Sequence, residues 1–427
     1  MISAGAATID ITPNFPVELG GYQSKRIHKK TKRTRHPLTA HALILEYSSH
    51  RLIIISYDLI WLSEPLCKEI KQAIKAFLTE KTTEVLCCAT HTHSSPQPLE
   101  RASFFGQTDK RYSTFLQKQS TRLVKNALEQ IQPVTVTHAR NRICWNYAVK
   151  RTKVCQGLFS FTKQVIHSPN PDHTLPQDFN LISVHNRLGK RICLVVSMAA
   201  HPVFHKDTCF SPDYPGAIRN ELQTKLDFNG PILFLQGFAG DIRPNYSSST
   251  IRERLEQLIN TGTLQAGFAK NIDNKLSEFT ASAVQNFLSK SPSPLTHSNG
   301  NSAVLKKNSE AIHLSDSFSQ PDPDNDDTFS LNINRVDVSD NLSLCTINAE
   351  LFSDYAAILR NIERQTGRII IPGGYTDGML GYLPDKLILE LRSGYEYKSW
   401  KKFGLPAPLR PEISGQIDEA VHKLFDA

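Results

Sequence analysis

The stretch Val85-Leu86-Cys87-Cys88-Ala89-Thr90-His91-Thr92-His93-Ser94 decides most about this chain. Five apolar residues in a row read as a buried strand, and the polar residues after them read as the loop into which it empties. Side chains alternate across an extended chain, so His91 and His93, spaced i and i+2, are expected to point the same way. Neutral imidazole is the commonest metal ligand near neutral pH, and the pair is therefore half of a candidate metal site. The competing reading is two strand-end histidines hydrogen-bonded to backbone.

Outward from this stretch the pattern alternates strands and helices. Ala40–Tyr47 and Arg51–Tyr57 read as strands joined by a Ser48-Ser49-His50 hairpin turn. Glu64–Leu78 reads as an amphipathic helix capped by Ser63, with Pro65 in its first turn. Tyr112–Gln130 is helical, with Phe115, Leu116, Leu123, Val124 and Leu128 at helical spacing; Pro133 ends it and Val134–Ala139 resumes as strand. Strands follow at Leu181–Val184, Ile192–Met198, Ile232–Gln236 and Ser343–Glu350. Helices follow near Gly216–Leu226, Asn271–Leu288 and Asp354–Arg364. Ser289–Asn308 and the acidic Pro321–Asp327 read as loops, a loop-rich excursion over about 289–327. The expected class is α/β, with mixed sheets flanked by helices in a single large domain over 1–427.

A chain of 427 residues that is 40% hydrophobic and 21% charged is an ordinary globular protein. No apolar run approaches the ~20 residues that span a bilayer. The N-terminus lacks the regions of a signal peptide, so a cytoplasmic location is expected. The eight cysteines form no C-x-x-C pair and read as reduced, buried small hydrophobes. Of the net charge of +8, seven positive charges fall on Lys25, Arg26, Lys29, Lys30, Lys32, Arg33 and Arg35, and 8 − 7 leaves +1 for the rest. This run is either a solvated surface loop or a positive rim for an anionic substrate. No aromatic residue is interleaved with it, so a nucleic-acid partner is not expected.

His201 ends the apolar strand Cys193–Ala200 and precedes Pro202, which places it at a strand-to-loop junction; His205, four residues on, competes with it as a ligand. Gly237-Phe238-Ala239-Gly240-Asp241-Ile242-Arg243-Pro244 follows another strand. Its glycines permit close backbone approach, and Asp241 stands where a carboxylate could orient a ligating imidazole.

With these pieces in order, the chain resembles the catalytic domain of the neutral/alkaline non-lysosomal ceramidase family. The likeness runs through Asp10-Ile11-Thr12-Pro13, Leu19-Gly20-Gly21-Tyr22, Tyr57-Asp58-Leu59-Ile60, Ala89–Ser94, Ala200-His201-Pro202, Asp213-Tyr214-Pro215-Gly216, Gln236–Pro244, Ala349-Glu350-Leu351-Phe352 and Gly381-Tyr382-Leu383-Pro384. The resemblance implies one Zn²⁺ held by His91, His201, Glu350 and Tyr382, with Tyr375 the alternative tyrosine. It also implies His93 beside the metal as a proton carrier and Asp241 holding the ligand geometry. Nitrogen and oxygen donors suit a catalytic zinc.

Four departures accompany the likeness. Where ceramidases carry a serine proposed to act in amide cleavage, this chain has Arg243. A guanidinium is no nucleophile, but it clamps a carboxylate or phosphate, with a salt bridge to a nearby acid as the other reading. From the sequence, neither an immunoglobulin-like C-terminal domain nor a secretory signal is expected, and Lys150-Arg151 stands where the family often has Asn-Arg. The expected activity is zinc-dependent hydrolysis of an N-acyl C–N bond in a small, anionic substrate instead of ceramide. A zinc enzyme that forms or rearranges an amide, and a non-catalytic metal-binding homologue, are the competing readings. The oligomeric state is not legible.

Overall fold

Apolar residues with period two sort the strands of this computed structural model into faces. The structure describes residues 2–21, 29–142, 148–156, 163–170, 178–244, 266–289, 305–319 and 329–426. Its strands in chain order are β1 (Ser3–Asp10), β2 (Thr39–Tyr47), β3 (His50–Tyr57), β4 (Thr82–Ala89), β5 (Gln132–Arg142), β6 (Ala148–Gln156), β7 (Lys163–Asn170), β8 (Asp178–Asn186) and β9 (Arg191–Met198). They continue with β10 (Ile232–Gln236), β11 (Ile242–Pro244), β12 (Lys306–His313), β13 (Ser330–Ser339), β14 (Leu342–Ile347), β15 (Glu350–Leu351), β16 (Ile369–Gly373) and β17 (Tyr382–Leu383).

Eight strands form one mixed sheet in the order β10-β9-β8-β5-β1-β2-β3-β4. It is parallel at its two ends, β9/β10 and β3/β4, and antiparallel between. Smaller sheets are β11-β6-β7, β12-β13-β14-β16 and β15-β17. In β3, Ile53, Ile55 and Tyr57 join one core, while Leu52 and Ile54 join another on the opposite face. In β9, Leu194, Val196 and Met198 pack towards helices, and Cys193 and Val195 pack the other way. A single mixed α/β domain results, as the pattern predicts.

The two ends of the large sheet meet in space. Ser56 Oγ on β3 donates to the Phe234 carbonyl of β10 at 2.6 Å and accepts from the Phe234 N–H at 3.2 Å. This junction brings the C-terminal ends of β4, β9 and β10 together, which is where ligands settle in sheets with parallel strands.

The connections follow local chemistry. Helix α1 (Glu64–Lys75) supplies the crossover that parallel β3 and β4 need, and Ser63 caps it by accepting from the Leu66 N–H at 3.3 Å. Helix α2 (Lys110–Leu128) begins two residues before its expected start because the Asp109 carboxylate accepts from the Arg111 N–H. Helix α3 (Asp213–Leu226) and helix α4 (Ala266–Ser289) cover one face of the large sheet through Ile218, Leu222, Leu276, Phe279, Ala283 and Phe287. No helix among the described residues is long and apolar enough to cross a membrane.

The excursion expected over 289–327 needs correction. Residues 290–304 and 320–328 lie outside the described residues, but β12 runs through the middle of it, antiparallel to β13. Its polar sequence Lys-Lys-Asn-Ser-Glu reads as loop because an edge strand need not bury either face. Within the basic run, residues 22–28 are outside the described residues, while Arg35 is ion-paired with Asp207 at 2.7 Å and Asp273 at 3.3 Å. Cys67, Cys87, Cys88, Cys193, Cys209 and Cys345 are free and buried.

His138 on β5 gives the fold an acid-sensitive element. Burial, with Arg140 adding to it, pushes its pKa down to about 4, against a hydrogen bond to Asn180. The folded ring stays neutral while the unfolded ring takes a proton near 6.5. Its contribution is present above that value and is lost as pH falls through the folded value, an upper bound of roughly 3 kcal/mol. Urea midpoints measured from pH 7 to 4 are expected to fall less in His138→Gln than in wild type.

Candidate metal centre

β4 ends at Ala89, and the histidine motif lies in the turn beyond it. The pleat therefore does not align the two rings. His91 instead adopts φ +67°, a left-handed conformation that a non-glycine residue takes only when its surroundings enforce it. Its N–H donates to the Leu59 carbonyl at 2.9 Å, and its Nδ1 donates to the Ile60 carbonyl at 2.8 Å. The kink turns both rings inward, so that His93 Nε2 lies 3.3 Å from His91 Nε2.

His201 follows β9 and meets the same point. Its Nδ1 lies 2.8 Å from the Ala239 carbonyl and 3.0 Å from the Ile242 carbonyl, both from the glycine-rich turn after β10. A carbonyl can only accept, so Nδ1 carries the proton in His91 and His201, and each Nε2 is left with a lone pair. Candidate ligand atoms of His91, His93 and His201 all lie within 4.8 Å of one another, a cluster that could bind a metal.

Glu350 on β15 closes the cluster. Its Oε1 is 2.7 Å from His201 Nε2 and 3.4 Å from His91 Nε2. Its Oε1 meets only these two imidazole nitrogens, its Oε2 accepts no hydrogen bond from a described residue, and the side chain is 1% exposed. Burial alone would raise this carboxyl, but positive charge on the facing His91 and His201 rings, when they take up a second proton, outweighs it and holds it well below the usual carboxylate range. Two lone pairs and a carboxylate oxygen thus converge in a buried spot. A proton on one ring satisfies one contact, whereas a divalent cation satisfies all of them.

Glycine is required at two close approaches. A Cβ on Gly240 would sit 2.8 Å from the Glu350 carbonyl, and the Gly240 N–H donates to Leu351 O. Gly21, at φ +99°, would place a Cβ 2.5 Å from His93 Nδ1. His91, His201 and Glu350 are buried and His93 is half-buried, which makes His93 the most exposed member of the cluster.

The two candidate tyrosines lie differently. Tyr382 is the register partner of Glu350 in the parallel β15/β17 pair, which puts both side chains on one face of that ladder. Its ring centroid is 5.8 Å from Phe403 and 6.0 Å from Tyr395. Tyr375, at φ +54°, stacks on His91 with centroids 4.1 Å apart. Trp61 flanks the same imidazole at 6.1 Å.

Asp241 departs from its expected place. Its carboxylate touches neither the His91 nor the His201 imidazole; it accepts from Ser353 N at 2.7 Å and Ser353 Oγ at 3.1 Å, and pairs with Lys150 at 3.3 Å. The backbone of its own turn orients His201 instead. Arg243 follows Ile242 on β11, and the Arg151 side chain lies outside the described residues. His205, the competing ligand, is engaged elsewhere, with Nδ1 2.8 Å from Ser211 Oγ and Nε2 3.3 Å from Asp273.

Sequence reading assigned no role to Asp58 or Lys150. Asp58 is fully buried, pairs with Arg219 at 2.6 Å and accepts from Thr90 Oγ1 at 3.4 Å, behind the histidine turn. A second group, Cys67, Cys87 and Asp377, also has the proximity of a metal site. Its carboxylate is already used by the Cys87 N–H at 2.8 Å and Lys71 at 2.7 Å.

No protein-family profile matches this chain, and no curated protein sequence does. Solved structures do. Neutral ceramidase from Pseudomonas aeruginosa superposes with a TM-score of 0.75 at 14% identity, covering 99% of this chain and 74% of that one. A ceramidase complexed with C2 superposes with a TM-score of 0.70 at 14% identity, covering 98% and 74%. The chain has a ceramidase-like fold. Within that fold, the histidine turn, His201 and Glu350 come together from segments more than a hundred residues apart in sequence.

Proposed function

We propose that this protein is a zinc-dependent hydrolase of an amide, N-acyl C–N bond, acting on a small anionic substrate. The observation that carries the reading is the convergence of His91 Nε2, His201 Nε2 and the Glu350 carboxylate in a buried spot beside the half-buried His93. The ceramidase-like fold supports the same reaction class. His91, His201, Glu350 and Tyr382 would hold the metal; register with Glu350 favours Tyr382, and Tyr375 braces the His91 ring. Zinc in such a donor set supplies Lewis-acid polarisation of a carbonyl and lowers the pKa of water towards ~7.

The chain's own residues account for the rest. Ile60, Ala239 and Ile242 carbonyls fix the tautomers of the two ligating rings. His93, half-buried and 3.3 Å from His91, is placed to pass a proton to the departing amine. Asp241 acts as a positioning residue: through Ser353 it holds the segment that carries Glu350. Arg243 stands one residue from the carbonyl that orients His201, where a guanidinium could grip a substrate carboxylate or phosphate. A second cation is close by, since burial and then Arg243 lower the Lys206 pKa.

Zinc-loaded protein is expected to release amine from short N-acyl amino acids faster than from a short-chain fluorescent ceramide. His91→Ala/His201→Ala should abolish both activities. Full zinc occupancy with no turnover of any N-acyl compound would overturn hydrolysis. If Arg243 grips the anionic group, Arg243→Ala should raise KM for N-acyl amino acids by ~10–100-fold, the worth of a charge-assisted hydrogen bond. Their carboxamide analogues should hardly change; an equal effect on both series would rule out the clamp.

A further inference from the structure

Away from the metal centre, an open cavity of about 530 Å³ is lined by Val165 on β7 and by Ser393, Gly394, Tyr395, Lys398 and Lys402. None of His91, His93, His201, Glu350 and Tyr382 lines it, and no carboxylate does among the described residues. The chain here passes from a short helical turn, Tyr395–Lys398, straight into a 3₁₀ turn, Ser399–Phe403. Gly394 enters at φ +94°, and a Cβ on it would meet Val165 Cγ1 at 2.9 Å. The turn is thus held close against β7, with both lysines lining the space beside it.

Lys402 is the informative member. It is half-buried, with Nζ 4.3 Å from the Tyr395 ring centroid and 4.9 Å from that of the exposed Phe104. Ring faces attract an ammonium without neutralising it. No carboxylate among the described residues pairs with Lys402, and burial is the one influence on its pKa, which it lowers. Its Nζ is nevertheless not closed off from solvent. Glu396, the acid next to this turn, is 2% exposed and stands outside the lining. Lys398 is exposed and four residues away, a spacing at which like charges on a helical turn repel unless an anion comes between them. Ser393 Oγ accepts from the Val165 N–H at 3.2 Å, which leaves its own proton to donate.

We propose that this cavity binds a phosphate monoester, its dianion held between Lys398 and Lys402 with the Ser393 hydroxyl as a third donor. Lysine meets phosphate as a point charge, and three donors suit a group with three free oxygens. Val165 and Tyr395 offer apolar surface to whatever carries the phosphate. A soluble metabolite and a lipid headgroup present the same chemistry. The Tyr395 ring lies 6.0 Å from that of Tyr382, so the site neighbours the metal centre without sharing a lining residue, and it does not rest on the hydrolase reading.

The test has two arms, both on the full chain freed of metal with a chelator, so that phosphate bound to zinc does not contribute. One is calorimetric titration with phenyl phosphate at fixed ionic strength; the other is co-flotation with phosphatidylcholine vesicles that contain phosphatidic acid, with phosphatidylcholine alone as the blank. Saturable binding in at least one arm is expected, and the arm that binds names the source of the phosphate. Lys398→Gln/Lys402→Gln should weaken that binding at least tenfold, since a hydrogen bond to a charged group is worth about that much. Lys398→Glu changes only an exposed side chain and should also weaken it at least tenfold; it decides the matter if the double variant does not fold. Absence of saturable binding in both arms, or binding unaltered by these substitutions, would overturn the proposal.

Discussion

Replacing Glu350 with alanine is expected to remove zinc binding and amide hydrolysis together while the fold survives. The carboxylate supplies the oxygen that faces both ligating imidazoles, at 2.7 Å and 3.4 Å. Loss of mere supporting partners in metal sites costs ~10–100-fold in affinity, so loss of a direct donor should cost at least ~100-fold. In wild type, zinc at a thousand times its Kd adds about 4 kcal/mol to stability, and Tm should rise accordingly. The variant should show no such rise. Its metal-free form should keep the wild-type circular dichroism spectrum, because among the described residues the Glu350 carboxylate meets only the His91 and His201 rings. A variant that retains stoichiometric zinc would remove Glu350 from the donor set.

Lys150→Met is expected to be the most destabilising single change outside the apolar core. Lys150 Nζ lies 3.3 Å from Asp241, 2.5 Å from Asp354 and 3.4 Å from Asp385, with its side chain 6% exposed. Burial lowers its pKa, but the three aspartates reverse the sign and raise it. The contribution is thus fully present at pH 7 and is lost only in strong base. Removing the ammonium strands the fully buried Asp241 carboxylate, which costs about 3–5 kcal/mol in comparable buried pairs. Asp241 also holds Ser353, two residues beyond β15, so zinc affinity should fall as well. Adding Asp241→Asn should return part of the lost stability. A loss under ~1 kcal/mol by urea titration would mean that water reaches the cluster.

Much of the fold was legible because period and punctuation are local. The Ser48-Ser49 turn, the Ser63 cap and the unbroken apolar runs of β3, β9 and β10 all appear within a few residues. Strand order was not legible: the contact of Ser56 with Phe234 joins residues far apart in the chain. β12 escaped notice because an exposed edge carries no apolar signature.

The site divides the same way. His91, His201 and Glu350 could be named from short motifs, yet the reason offered for the first was wrong, since a left-handed kink and not the pleat aims its ring. Asp241 was assigned to an imidazole because a sequence displays carboxylates and hides backbone carbonyls. The groups that hold His201 are the Ala239 and Ile242 carbonyls of the same turn. Lys150 stands out in the sequence only as a departure from the family's Asn-Arg pair and its role is hidden, because its three acidic partners are 91, 204 and 235 residues away in sequence.

Zinc K-edge absorption spectroscopy on the zinc-loaded protein tests the central claim most directly. A centre made by His91, His201, Glu350 and a tyrosine predicts a shell of nitrogen and oxygen only, at ~2.0–2.2 Å, with the outer-shell scattering of two imidazoles. A sulfur shell at ~2.3 Å would instead place the metal at Cys67 and Cys87 and contradict the account.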